Sequence, residues 1–328
     1  MVQNSVPELE QILQGNRRAI AKAITLLEST RSESFEQGQE LLESLLPYAG
    51  KALRIGITGV PGVGKSTFIE AFGLFLIEQG HRVAVLAVDP SSQLTGGSIM
   101  GDKTRMNELA QHPEAFIRPS PSSGILGGVA RKTRETMLIC EAAGYDVVIV
   151  ETVGVGQSET MVSSMVDLFL LLMLPNAGDE LQGIKKGVLE LADLVVVNKS
   201  DGKQESLAKT AQAEYRKALH LLPSTKTSWT PKILRCSSLE KRGMDEIWEA
   251  VKNFREVLQS SGEWEKQRQT QTGKWMWTLV EEGLLKNFRN HPHLQKQIPE
   301  LEKAVESGKM LATTAARKLL ESWQTQSK

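Results

Sequence analysis

The apolar run Leu53-Arg54-Ile55-Gly56-Ile57-Thr58 ends directly in Gly59-Val60-Pro61-Gly62-Val63-Gly64-Lys65-Ser66, and a helical stretch from Ser66 to Gln79 follows. This order constrains the fold more than any other feature of the chain. The glycines match G-x-x-x-x-G-K-[ST] at every fixed position, between a buried strand and a helix. Such a loop turns successive backbone N–H groups inward to cradle a polyphosphate, and the helix behind it adds a favourable dipole. Lys65 can reach the β- and γ-phosphates, and the Ser66 hydroxyl can hold Mg²⁺. The backbone of Gly59 through Thr67 is the expected phosphate-binding segment.

The strand–helix alternation continues well beyond the loop. Strands are expected at 53–58, 83–88, 115–118, 146–150, 168–174, 194–198 and 232–236, with helices between them at 66–79, 129–143, 204–222 and 244–258. Most of the strands are continuous apolar runs, as strands buried on both faces of a parallel sheet require. The pattern predicts an α/β fold with a doubly wound, mostly parallel sheet. Residues 8–49 predict two helices, with a polar turn at 28–34. Residues 261–328 change character: four of the six tryptophans lie there, Pro292 and Pro299 interrupt the pattern, and 311–323 predicts a last short helix. Three segments are expected: an N-terminal helical extension (1–50), a nucleotide-binding domain (51–260) and a C-terminal helical arm (261–328). The tryptophans of the arm are expected to pack on the core or on another subunit.

Bulk composition removes several classes. Lys+Arg and Asp+Glu both number 39, so no net positive charge favours a nucleic acid partner. No apolar run reaches the ~18 residues of a transmembrane helix. The N-terminus lacks the pattern of a secretory signal, so a cytoplasmic protein is expected. The two cysteines, Cys140 and Cys236, form no C-x-x-C pair and suggest neither a disulfide framework nor zinc.

The nucleotide base is addressed by Leu194-Val195-Val196-Val197-Asn198-Lys199-Ser200-Asp201, an apolar strand ending in N-K-x-D. The Asp201 carboxylate can accept from guanine N1–H and the 2-amino group. Adenine would leave it unpaired, which costs about 1–3 kcal/mol or more for a buried group. The Lys199 stem can lie along the base, and Asn198 can tie this loop to the phosphate loop. Cys236-Ser237-Ser238, after the next strand, fits the loop whose backbone meets guanine O6. Acids for a Mg²⁺ site are Asp89, which follows the strand 83–88, Asp102 in Gly101-Asp102-Lys103-Thr104-Arg105, and Glu151. Glu151 and Gly154 occupy the D-x-x-G places of many GTPases. Val155 stands where Ras-type proteins carry a water-orienting Gln, and Gln157 is two residues on. Slow intrinsic turnover, accelerated by a partner, is therefore expected. The Gly-rich stretches 95–101, 122–128 and 154–156 are candidate switch loops.

Laid in order, Gly59–Ser66, Val88–Ser92, Glu151–Glu159 and Asn198–Asp201 resemble the MeaB/ArgK family of P-loop GTPases, of the SIMIBI class. The resemblance extends through Thr95–Met106 and Gly178–Gly187 and covers nearly the whole chain. It implies a GTP-binding and GTP-hydrolysing chaperone that gates adenosylcobalamin loading and reactivation of methylmalonyl-CoA mutase or a related acyl-CoA mutase, such as isobutyryl-CoA mutase. Cobalamin would be met only through the client enzyme. The resemblance also implies a homodimer formed through the C-terminal arm. It assigns catalytic roles to Lys65, Asp89, Glu151 and Lys185, metal roles to Ser66, Asp89, Asp102 and Glu151, and a nucleotide- and partner-responsive switch to Asp179, Glu180 and Lys185. Asn176 stands where the family pattern has a glycine.

Other readings compete. An accessory ATPase or kinase of basic amino-acid transport conflicts with the N-K-S-D motif. A GTPase for metal insertion would carry His/Cys clusters, whereas His291-Pro292-His293 supplies too few ligands. A nucleotide-dependent scaffold without hydrolysis would be separated from these by a phosphate-release assay.

Overall fold

The computed structural model describes residues 6–29, 31–88, 106–119, 126–152, 158–175, 186–220 and 226–326. The chain divides into two compact units, Met1–Arg268 and Gln269–Lys328.

The first unit is built on seven strands: β1 (Leu53–Gly59), β2 (Val83–Val88), β3 (Ala115–Arg118), β4 (Val147–Thr152), β5 (Leu168–Met173), β6 (Leu194–Val197) and β7 (Lys232–Arg235). They form one sheet in the order β3-β2-β4-β1-β5-β6-β7, with every neighbouring pair parallel. Each of the expected strands is present, within about two residues at the ends. Every residue of β2, β4, β5 and β6 is buried. The reason is that both faces are covered. Ile55, Ile57, Val85, Ile149 and Leu170 point to one side and pack with Phe68 and Phe72 of α4 (Lys65–Glu78) and with α10 (Met244–Ser261). Ala84, Leu86, Val148, Val150 and Phe169, one residue out of step, point to the other side. There they meet α2 (Arg17–Glu28), α3 (Ser32–Leu45) and α6 (Leu126–Ala142). Alternation with period two sends each strand's apolar residues to both layers.

The N-terminal segment departs from expectation. It holds α1 (Leu9–Leu13), α2 and α3 rather than two helices, because Gly15 (φ +77°) breaks the first run and Asn16 then caps α2 by accepting from the Arg18 and Ala19 amides. The polar stretch expected to be a turn is shorter than expected, since α3 already begins at Ser32.

Three aspartates lie immediately before strands and lock their neighbours reciprocally. Asp146, Asp167 and Asp193 each donate their amide to a carbonyl, that of Arg82, Arg54 and Phe169 respectively (3.1, 2.9 and 2.8 Å). Each carboxylate then accepts from the amide of the same residue (2.8, 2.8 and 2.9 Å). A basic group completes each one: His81 on Asp146, Arg268 on Asp167 and Lys226 on Asp193. These clamps at the amino ends hold a register in which Ile57 stands beside Glu151 and Gly59 beside Leu172. A slip of one residue would turn every side chain to the other layer.

Between β2 and β7 the first unit also contains α5 (Asn107–Gln111), α7 (Ser158–Ser163), α8 (Lys186–Leu191) and α9 (Glu205–His220). Helix α11 (Glu263–Asn290) starts in this unit, where Trp264 is buried against the core. The second unit contains the rest of α11, α12 (Pro292–Glu306) and α13 (Ala312–Gln326). Pro292 sits in the first turn of α12, where its missing N–H costs nothing, and Pro299 lies inside that helix rather than ending it. Phe288 and His291 pack around Trp323 with ring centroids 5.5 and 5.3 Å apart.

Candidate nucleotide site

From β1 the chain crosses to β2 on one side; from β4, beside β1, it crosses to β5 on the other. In an open α/β sheet this switch point, at the carboxyl ends of the strands, is where a ligand crevice forms. The loop 60–64 emerges there. Gly59 is required by packing, because a Cβ on it would stand 2.6 Å from the Leu172 carbonyl oxygen. Gly62 (φ +80°) and Gly64 (φ +91°) adopt left-handed backbone that other residues enter at a cost. Gly64 opens α4, so the first-turn amides of that helix point into the crevice.

Lys65 and Ser66 lie in that first turn. The Lys65 ammonium donates to the Gly59 carbonyl at 2.8 Å. Its burial lowers the ammonium's pKa from the ordinary value, while the charges of Glu151 and then Glu159 pull it upward. The Ser66 hydroxyl donates to a Glu151 carboxylate oxygen at 3.4 Å. Glu151 is buried near the end of β4, and beside it the Thr152 hydroxyl bonds the Thr58 hydroxyl at 2.7 Å. A hydroxyl and a carboxylate, both hard oxygen donors, meet where phosphates would lie. That donor set suits Mg²⁺, which takes few protein ligands and keeps waters and phosphate oxygens for the rest.

The segment 198–201 is joined to the loop 60–64 by Asn198, which is buried at the end of β6. Its amide nitrogen donates to the Val63 carbonyl at 2.9 Å. Its oxygen accepts from the Ser238 amide (3.2 Å), the Ser238 hydroxyl (2.8 Å) and the Cys236 thiol (3.4 Å). One side chain therefore ties three loops. Lys199 takes a positive φ of 56° and reaches the Gly62 carbonyl at 2.8 Å. Asp201 accepts from the Ser237 hydroxyl, which holds one carboxylate oxygen in place. Ser237 and Arg242 exchange backbone hydrogen bonds of 3.1 and 3.0 Å, closing a rigid loop over 237–242.

Thus Gly59 to Thr67, Glu151, Asn198, Lys199, Asp201 and Cys236 to Ser238 converge at the carboxyl ends of the strands. Asp89, Asp102, Gly154, Gln157, Asp179, Glu180 and Lys185 lie outside the described residues, as does Asn176. Sequence reasoning gave no role to Glu159, a buried acid in α7. Its place at the end of the family-like stretch Glu151–Glu159 was the signal that could have found it.

The profile of the family described as "Methylmalonyl Co-A mutase-associated GTPase MeaB" matches residues 20–293. Similar proteins include "GTPase ArgK" of Escherichia coli strain K12, 50% identical and covering 97% of this chain and 96% of its own. The "Methylmalonic aciduria type A homolog, mitochondrial" of Mus musculus is 49% identical over 96% of this chain and 78% of its own. The solved structure titled "Crystal structure of LAO/AO transport system kinase" superposes with a TM-score of 0.77 at 43% identity, covering 96% of both chains. The chain is a GTP hydrolase and belongs to the MeaB family of methylmalonyl-CoA mutase-associated GTPases.

Proposed function

We propose that this GTPase is a cytoplasmic chaperone of methylmalonyl-CoA mutase, or of a related cobalamin-dependent acyl-CoA mutase. In this reading it gates delivery of adenosylcobalamin and helps remove damaged cofactor. The observation that carries the reading is the match of a mutase-associated GTPase family over residues 20–293. The mouse relative, named for methylmalonic aciduria, supports it. Cobalamin itself is met through the client.

Each residue takes a role that its chemistry suits. The backbone of Gly59 to Thr67 cradles the phosphates, and Lys65 leaves the Gly59 carbonyl for the β- and γ-oxygens. Ser66 and Glu151 hold Mg²⁺ with Asp89 and Asp102, and the ion supplies neutralisation of phosphate charge. Asp201 reads guanine, Lys199 lies along the base, and Asn198 keeps both loops in register. Cys236, Ser237 and Ser238 shape the O6 side. Gly154 and Gln157 belong to the switch after Glu151, and Asp179, Glu180 and Lys185 to a second switch that faces the client. Residues 1–50, 51–260 and 261–328 act as helical extension, nucleotide domain and dimerisation arm. Exposure of Met276, Trp277, Leu284 and Leu285 on α11 supports a homodimer.

Val155 in place of a water-orienting Gln supports slow intrinsic hydrolysis. The test is phosphate release at saturating GTP and Mg²⁺, with and without a methylmalonyl-CoA mutase. A rise of at least about tenfold is expected from completion of a catalytic site. No change with any cobalamin-dependent acyl-CoA mutase overturns the chaperone reading.

A further inference from the structure

The crevice opens between β1 and β4, and two buried hydroxyls tie its floor. The β1–β4 pairing ends at Ile57 beside Glu151, whereas β1 stays paired with β5 as far as Gly59 beside Leu172. Past Ile57, side chains take over on the β4 side of β1. There the Thr152 hydroxyl donates to the Thr58 hydroxyl at 2.7 Å. Thr58 is 1% exposed and Thr152 not at all. Side chains alternate along a strand, so the pair stands on the face opposite Ile57 and Glu151. Two residues before Thr152 on that face, Val150 belongs to the apolar core; two residues before Thr58, Gly56 lies against Val162 and Val166. Valine has the shape of threonine without a hydroxyl to desolvate, and replacing both partners of a buried bond by apolar groups of that shape is nearly neutral. Stability alone therefore does not call for threonine here. A hydrogen bond, unlike an apolar contact, sets one distance and direction. Each threonine adjoins a residue of the site: Thr58 leads into Gly59, whose carbonyl accepts from Lys65, and Thr152 follows Glu151, which accepts from Ser66.

We propose that Thr58 and Thr152 are positioning residues for GTP hydrolysis: their hydroxyl bond fixes the width of the crevice floor, and with it the separation of the Ser66 hydroxyl and the Glu151 carboxylate across which Mg²⁺ is held. Both act through the backbone and not on the nucleotide. Mg²⁺ demands a near-ideal octahedron, so a small widening between two of its oxygen ligands weakens its hold. Supports outside the ligand set accordingly tune metal affinity. This deepens the assignment of Ser66 and Glu151 to the cation and rests on it.

The test titrates free Mg²⁺ in phosphate-release assays at saturating GTP, for wild type, Thr152→Val, the double variant Thr58→Val/Thr152→Val, Thr152→Ser and Glu151→Gln. Both Val variants are expected to raise the Mg²⁺ concentration for half-maximal rate about tenfold, as loss of an outer support does at metal sites. GDP affinity in excess chelator should stay at the wild-type value. Thr152→Ser keeps the hydroxyl and should restore the wild-type Mg²⁺ dependence. The double variant leaves no hydroxyl without its partner, so it decides the matter should the single Val variant not fold. A Mg²⁺ dependence unmoved in the Val variants while Glu151→Gln shifts it overturns the proposal, as does a loss that Thr152→Ser shares in full. A fall in chelator-condition GDP affinity as large as the Mg²⁺ shift, or a double variant that does not fold, makes the pair a packing feature and also overturns it. A Mg²⁺ dependence unmoved by Glu151→Gln instead removes Glu151 from the cation site, and the proposal with it.

Discussion

Asn198→Ala tests whether one buried amide holds the nucleotide site together. Asn198 is 1% exposed and makes three well-formed bonds: to the Val63 carbonyl (2.9 Å), from the Ser238 amide (3.2 Å) and from the Ser238 hydroxyl (2.8 Å). At about 1 kcal/mol net each, their loss costs about 3 kcal/mol. The buried Ser238 donors and the Val63 carbonyl, left without this partner, add to it. About 3–4 kcal/mol corresponds to a fall of roughly 6–16 °C in the melting temperature of the first unit. GDP affinity should fall as well, because the phosphate loop and the 236–238 loop lose their common anchor. Asn198→Asp is the sharper control. It retains an acceptor for Ser238 but sets a carboxylate oxygen against the Val63 carbonyl, so at neutral pH it should destabilise at least as much as Ala. The assay is thermal unfolding followed by circular dichroism, with GDP titration of the folded variants. A melting temperature within about 1 °C of wild type for Asn198→Ala would refute the reasoning, since it would mean that these bonds are replaced by water at no cost.

Two further outcomes follow from the same geometry. Asp201→Asn replaces an acceptor with an amide whose N–H suits a 2-carbonyl. GDP affinity should drop by about 2–3 kcal/mol, near a hundredfold, while xanthosine diphosphate gains; unchanged GDP binding would remove Asp201 from base reading. The Cys140 and Cys236 thiols are both buried, and burial raises both pKa values, that of Cys236 to about 12. Since the thiolate is the reactive form, neither should react with an aromatic disulfide reagent at pH 8 in the native protein, and both should in guanidinium. Rapid native labelling would contradict the buried placement.

Much of the fold was legible because each layer left a local mark. Strands buried on both faces must be continuously apolar, so 83–88, 168–173 and 194–197 announced themselves. Helix boundaries set by conformation rather than by hydrophobicity were harder. Gly15 splits the first helical region through its positive φ, and Pro299 is tolerated inside α12. Neither outcome follows from periodicity. The aspartates before β4, β5 and β6 received no role from the sequence, and Asp146 fell inside an expected strand. Their reciprocal clamps exist only once a neighbouring strand supplies a carbonyl and an amide.

The sequence by itself determined the chemistry of the site. Which groups can grip a phosphate, hold a magnesium ion and discriminate guanine depends on residue types at short spacing, and G-x-x-x-x-G-K-S and N-K-S-D carry that in a few positions each. The tertiary structure decided how those pieces meet. Only the sheet order brings β1, β4 and β6 close enough for Ser66 to reach Glu151 and for Asn198 to reach Val63 across 135 residues. Only the Gly56 notch lets α7 pack close to β1, since a Cβ there would stand 2.9 Å from Val162 and Phe169. Short motifs act through bonds between near neighbours in sequence, whereas the field around Lys65 is a sum over charges that packing alone makes neighbours.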